Sequence, residues 1–175
     1  RILSSAASDV YKRQVKEGME GTIYFKAPET GRFEYYKAKE KTSGAYRGDY
    51  FTMGDIGYRD SDGYYFLTGR SADTIISGGT NIYPQEIDDV LLAHQSVAEV
   101  CCIGVPNEEW GEEVKAVINL ESGADEDAVR KELVQLAEAK LSGFKKPKTY
   151  EFWTEELPRL PTGKIQRNLV KKRFW

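Results

Sequence analysis

Gly69-Arg70-Ser71-Ala72-Asp73-Thr74-Ile75-Ile76-Ser77-Gly78-Gly79-Thr80-Asn81-Ile82-Tyr83-Pro84-Gln85-Glu86-Ile87 is where the chain changes character. Before it, Val15 to Arg70 is rich in Gly and Tyr; after it, strand and helix patterns alternate. Within it, Ser77-Gly78-Gly79-Thr80 reads as a tight turn leading from a strand into a helix, because glycine permits sharp turns and close backbone approach. Pro84 suits the first turn of that helix. Ile87, Val90 and Leu91 then follow at helical spacing.

Downstream, Val97 to Val105 reads as a buried strand, and Val114, Ala116, Ile118 and Leu120 alternate as a half-buried strand should. Asp125 can cap a helix running to about Leu141, with Val129, Leu133 and Leu136 on one face and Ser142-Gly143 ending it. Thr149 to Trp153 is a further strand, and Gln166 to Lys172 a short basic helix. The expectation for residues 71–175 is a compact α+β domain with a three-stranded-type sheet and flanking helices.

Upstream, Gly21 to Phe25 and Tyr64 to Leu67 read as strands, with Asp60-Ser61-Asp62-Gly63 as a turn. Residues 15–70 thus read as β-hairpins without the mass for a core of their own. We expect them to be the tail of a larger, truncated N-terminal domain. Residues 1–14 have neither helical nor strand periodicity and resemble translated library-adapter sequence, so the protein is expected to extend upstream.

The formal net charge of the 175 residues is −3, which favours neither nucleic acid nor an anionic membrane as partner. No apolar run approaches the roughly 18 residues of a transmembrane helix. Cys101 and Cys102 are adjacent on a strand, point to opposite faces and read as small core residues. Two cysteines make no disulfide framework, which fits a reducing cytoplasm. His94, the single histidine, falls in a helical pattern and reads as structural; a zinc site and a Ser-His-Asp hydrolase are both disfavoured.

Two further segments bear on chemistry: Tyr50-Phe51-Thr52-Met53-Gly54-Asp55 and Leu157-Pro158-Arg159-Leu160-Pro161-Thr162-Gly163-Lys164-Ile165-Gln166-Arg167. Thr162-Gly163-Lys164 echoes the end of a P-loop. That loop needs a glycine five residues before Gly163 and Ser or Thr after the lysine, and Pro158 and Ile165 stand there instead. Taken in order with the glycine-turn stretch, the two segments resemble the C-terminal signature set of the adenylate-forming enzymes, over residues 15–175. The glycine loop, Ile-Ile-Ser-Gly-Gly-Thr-Asn-Ile-Tyr-Pro, resembles the fatty-acyl and aryl-acid AMP-forming acyl-CoA synthetases more than the peptide-synthetase adenylation domains.

The resemblance implies a two-step ligase. A carboxylate attacks the α-phosphate of Mg-ATP to give acyl-AMP and pyrophosphate, and the thiol of coenzyme A then displaces AMP. It also implies a large N-terminal domain holding acid and nucleotide, with a small C-terminal lid that swings between two orientations. Asp55 is thereby expected to accept from the ribose hydroxyls, and Arg70 to bond the ribose near the domain junction. Ala72 stands where the family carries an Asp or Lys hinge, with Asp73 beside it. Gly78, Gly79 and Thr80 are expected to line the pantetheine channel, with Gly79 closest. Lys164 is the expected catalytic residue, stabilising the charge that develops on the attacked phosphate.

Met53 departs from the Thr usual in the family. Lys145, Lys146 and Lys148, around Pro147, could meet coenzyme A phosphates or form a solvated loop. The implied cofactors and partners are ATP, Mg2+, coenzyme A, a fatty or aryl acid and the chain's own N-terminal domain. No protein metal ligands and no nucleic acid are implied. The residues 15–175 alone are expected to be inactive. The other function class is a non-catalytic lid-like module that binds coenzyme A or docks on a partner.

Overall fold

The computed structural model describes residues 5–8 and 15–175. They divide into two units at the Ala72–Asp73 bond. No helix among the described residues is long and apolar enough to cross a membrane.

The first unit is built on β1 (Ser5–Ser8), β2 (Gly21–Lys26), α1 (Lys39–Ala45), β3 (Tyr46–Arg47), β4 (Tyr50–Phe51), β5 (Asp55–Arg59) and β6 (Tyr65–Arg70). Strand β2 is its hub, pairing antiparallel with β1, β4 and β5. The expectation of no strand in residues 1–14 is corrected at Ser5–Ser8, which pairs with Thr22–Phe25. The rest of that segment, with the reading of it as adapter sequence, lies outside the described residues. Helix α1 was also unforeseen, because Lys-Glu-Lys-Thr-Ser-Gly-Ala has no apolar stripe and buries only Ala45. It is set by Thr42, whose hydroxyl donates to the Ala38 carbonyl and accepts from the Tyr35 amide. The buried apolar side chains described here are Ile23, Tyr24, Ala27, Ala45 and Ile56. Beside them Phe33 packs its ring against Tyr46 and Phe51.

The second unit contains β7 (Ile75–Ser77), β8 (Thr80–Ile82), α2 (Pro84–Leu92), β9 (Val97–Asn107), β10 (Gly111–Leu120), α3 (Glu126–Lys140), β11 (Thr149–Phe152) and α4 (Arg167–Lys171). The α+β architecture is present, but the sheet has five strands rather than three, because the glycine turn joins two strands, β7 and β8, and not a strand to a helix. The long strand β10 is central. It pairs antiparallel with β9 along one edge and parallel with β11 on the other, where β7 also meets it at Gly111↔Ser77. The parallel pair follows from the connection: α3 carries the chain back across the sheet. Asp125 caps α3, its side chain accepting from the Ala128 amide at 2.8 Å.

Both faces of the β9–β10 ribbon are covered. On one face α2 and α3 bury Ile87, Leu91, Val129, Leu133 and Ala137 against Val100, Cys102, Val114, Ala116 and Ile118. On the other, α4 and the segment before it bury Leu157 and Val170 against Cys101, Ile103, Val105 and Val117. This corrects the reading of β10 as half-buried: Val117 is fully enclosed, and Lys115 reaches Glu151 at 3.1 Å and lies over the Phe174 ring. Cys101 and Cys102 do point into opposite cores. Burial pushes the Cys101 thiol up to about 12 and raises Cys102 as well, so both act as apolar fillers at neutral pH.

The two layers are clasped at the free edge of β9. Asp88, buried on α2, accepts from the Cys102 amide at 2.7 Å and from Arg167 at 2.7 Å. Arg167 opens α4 and also donates to the Cys102 carbonyl. The ion pair therefore does for Cys102 what a neighbouring strand would do. Burial raises the Asp88 carboxyl, and the Arg167 charge and the hydrogen bonds offset part of that rise. Removing one partner of such a pair leaves an uncompensated buried group. Arg167→Met should lower the unfolding free energy of this unit by about 3–5 kcal/mol, and Asp88→Leu added to it should recover part of the loss. Urea unfolding followed by tryptophan fluorescence measures this, since the three tryptophans all lie in residues 73–175.

Candidate functional site

In the first unit Asp55 opens β5 and Arg70 closes β6, and the antiparallel register sets them opposite each other. The guanidinium Nε lies 3.1 Å from the Asp55 carboxylate, and another arm donates to the Met53 carbonyl at 2.9 Å. The two side chains expected to act separately on a ribose thus form one pair. Gly54, at φ +85°, makes the turn before Asp55, and Thr52 holds it by accepting from the Gly54 amide at 2.9 Å. The departure at Met53 has little consequence for this turn. The Met53 side chain is exposed, and only its carbonyl enters the geometry.

In the second unit the Gly78-Gly79 turn has φ values of +56° and +78°. Two left-handed residues in a two-residue hairpin loop suit the right-handed twist of the flanking strands. The Gly78 amide donates to the Trp110 carbonyl at 2.9 Å. A Cβ on Gly78 would come within 2.8 Å of the Trp110 ring, whereas one on Gly79 would meet nothing within 4 Å. The close packing therefore falls on Gly78, not Gly79. Phe144 stands against Trp110 with ring centroids 5.2 Å apart, and both rings are partly exposed. Hairpin, indole and phenyl ring together form an aromatic-walled surface beside exposed backbone and Thr80.

Trp110 is held by the turn between β9 and β10, where the Asn107 side chain accepts from the Glu109 and Trp110 amides at 3.0 and 2.9 Å. Strand β7 is held by Glu112, whose carboxylate accepts from the Ile76 amide at 2.8 Å and from Lys171 at 2.7 Å. Sequence reasoning passed over Trp110, Phe144 and Glu112. The available signal was Trp110, a large aromatic in the otherwise polar turn Asn107-Glu108-Glu109-Trp110-Gly111. Of the basic group, Lys145 pairs with Glu86 at 2.7 Å and Lys146 with Glu138, while Lys148 is exposed.

Lys164 lies on a second hairpin. The Leu160 amide donates to the Lys164 carbonyl and the Gly163 amide to the Leu160 carbonyl, both at 2.8 Å, with Gly163 at φ +85°. Pro161, with its fixed φ, and Gly163, in the left-handed region, are what a three-residue hairpin loop of this kind requires. The segment is therefore a closed turn rather than an open loop. Its lysine is exposed, and among the described residues its ammonium has no ion-pair or hydrogen-bond partner.

The two hairpins of this unit are attached at opposite ends of one ribbon. The glycine hairpin meets β10 at Gly111, opposite Asn107. The lysine hairpin is tied by Arg159 to Glu99, near the start of β9. Glu99 and Asn107 are eight residues apart on β9, a span of roughly 26 Å at about 3.3 Å per residue.

Residues 86–164 match the family described as the AMP-binding enzyme C-terminal domain. The second unit belongs to this family. The chain is 38% identical over 171 residues to the 2-succinylbenzoate–CoA ligase of Listeria monocytogenes, covering 98% of the chain and 35% of that protein. It is 39% identical over 147 residues to a long-chain-fatty-acid–CoA ligase of Bacillus subtilis, covering 84% and 26%. Among solved structures, ATP-bound MatB from Rhodopseudomonas palustris is similar with a TM-score of 0.84 and 34% identity, covering 98% of this chain and 34% of that one. The chain thus spans about a third or less of the length of these relatives. Among the described residues no group of three or more His, Cys, Asp or Glu could hold a metal ion.

Within this AMP-binding C-terminal domain the glycine hairpin gives a stability test. Gly78→Ala and Gly79→Ala should each cost about 1–2 kcal/mol for the left-handed conformation. Gly78→Ala should cost more, because the Trp110 ring must also move. Urea unfolding ranks the two, and equal losses would mean that the ring yields freely.

Proposed function

We propose that this chain is the C-terminal part of an AMP-forming acyl-CoA synthetase, in which the second unit is the lid and residues 15–70 are the tail of the adenylation domain. The acid is fatty or aryl, in keeping with the chain's similarity to a 2-succinylbenzoate–CoA ligase and a long-chain-fatty-acid–CoA ligase. ATP is the activating nucleotide, and Mg2+ travels with its phosphates. Coenzyme A is the acceptor.

The observation that carries this reading is the separation of the two hairpins on one ribbon. A lysine with no partner among the described residues is tied near one end and an aromatic-walled glycine turn at the other, their attachment points Glu99 and Asn107 lying about 26 Å apart along the strand. A unit of this form can present one end to a reacting centre at a time. Lys164 suits the adenylation step, where its compact charge meets the developing negative charge on the α-phosphate. Gly78, Gly79 and Thr80, with Trp110 and Phe144, suit the thiol step: exposed backbone for the pantetheine amides and apolar walls that shield the thiol from water. Asp55 and Arg70 are assigned to the ribose of the nucleotide, and Ala72 with Asp73 to the pivot.

The half-reactions can be assayed separately in the full-length enzyme. Lys164→Ala should slow acid-dependent ATP–pyrophosphate exchange roughly 100–1,000-fold, as loss of one electrostatic donor typically does. It should leave the conversion of supplied acyl-AMP and coenzyme A intact. Trp110→Ala should do the opposite, raising KM for coenzyme A with exchange unchanged. Loss of both steps in equal measure in both variants would remove the two-ended reading. The alternative, a module that binds coenzyme A without turnover, is favoured by one feature: the glycine–aromatic surface lies wholly within the second unit. It predicts coenzyme A binding with no exchange in the full-length protein.

A further inference from the structure

We propose that Glu99 is a positioning residue for Lys164, acting through Arg159; the proposal rests on the reading of Lys164 as the adenylation cation. Glu99 lies 65 residues before the lysine, on β9 and outside the lysine-bearing segment.

The lysine hairpin has a fixed base and an exposed tip. At the base Leu157 is fully buried and Ile165 packs against the same core. The Gln166 amide donates to the Pro158 carbonyl at 2.7 Å, and the Gln166 side chain to the Arg159 carbonyl at 2.9 Å. The tip, from Pro161 to Lys164, is exposed. Arg159 ties it down: one arm of its guanidinium donates to the Gly163 carbonyl at 2.5 Å, next to Lys164, and the other pairs with Glu99. A planar guanidinium holds two acceptors in a fixed relation, so the Gly163 carbonyl is fixed with respect to β9.

The Lys164 side chain is long and flexible. Its ammonium reaches a defined point only if the backbone that carries it is fixed, and a displacement of about 1 Å at a reacting centre can cost on the order of 100-fold in rate. The Arg159 and Glu99 side chains are 38% and 29% exposed. A water-exposed pair of this kind contributes little to folding stability. The brace therefore predicts an uncommon split: a loss of rate in one half-reaction with almost no loss of stability. Glu99 touches no reacting atom in this scheme.

The test uses the full-length enzyme with Glu99→Ala, Arg159→Ala, the double variant and Glu99→Gln. Each alanine variant should lower kcat for acid-dependent pyrophosphate exchange by roughly tenfold. KM for ATP, thioester formation from supplied acyl-AMP and the melting temperature should stay as in the parent. The double variant should be no slower than either single one, because both remove the same brace. Glu99→Gln keeps an acceptor for Arg159 and should recover most of the rate. If Glu99→Ala leaves exchange unchanged while Lys164→Ala abolishes it, the positioning role is wrong and the role of Lys164 stands. A parallel fall of both half-reactions and of melting temperature would make Glu99 merely structural and overturn the proposal. If Lys164→Ala itself leaves exchange intact, the reading of Lys164 fails, and the proposal with it.

Discussion

The second unit depends on one buried ion pair at the edge of β9. Asp88 comes from the helix layer on one face of the sheet and Arg167 from the layer on the other, and they meet at the backbone of Cys102. Burying two charges is costly unless each is matched and its remaining hydrogen-bonding capacity used. Here the carboxylate takes an amide and a guanidinium, and the guanidinium takes a carboxylate and a carbonyl. An otherwise open strand edge is closed in the same arrangement, which removes a site for unwanted strand pairing. Asp73, the first residue of the unit, lies 3.9 Å from the same guanidinium. Because Arg167 opens α4 directly after the lysine hairpin, the clasp also fixes where that hairpin leaves the core.

The rest of the unit distributes its polar contacts by the same logic. Glu112 joins β7 to α4 through Ile76 and Lys171, and Gly104 leaves room for that carboxylate: a Cβ there would lie 2.9 Å from it. Asn107 shapes the turn that presents Trp110. The β9–β10 ribbon is thereby a stiff beam with a hairpin fastened at each end. The proposed chemistry of the two ends differs as their construction does. One end offers exposed backbone against aromatic walls, suited to a long neutral arm. The other offers a lysine without a partner among the described residues on a braced turn, suited to a developing phosphate charge.

The first unit is built differently. Its sheet turns on β2, and its buried apolar set is small beside an aromatic group of Phe25, Phe33, Tyr46 and Phe51. Tyr64, Phe66 and Leu67 remain exposed on or beside β6. These surfaces are in keeping with the proposal that residues 15–70 complete a larger domain. The paired Asp55 and Arg70 at the β5–β6 end are its chemically distinctive feature, one of five residue pairs along that hairpin, whose register shifts between Ile56 and Gly57.

The sequence by itself determined the helices and long strands of the second unit and the candidate lysine and glycine segments, but not β8, the strand that follows the glycine turn. Pro84, Asp125 and the apolar spacing of α2 and α3 act within a few residues, and Gly78-Gly79 and Pro161 to Gly163 encode their turns in backbone preferences that need no distant partner. The tertiary structure alone decided what lies across the sheet. Val117 is buried because α4 returns over a face that the alternation of β10 assigns to water. Gly78 rather than Gly79 is the packed glycine because Trp110 arrives from 32 residues downstream. Glu99 meets Arg159 across 60 residues, and Asp88 meets Arg167 across 79. None of these pairings has a local signature. Each depends on the register of β9 against β10 and on which faces α2 and α4 cover, and those are settled by burial summed over the whole unit.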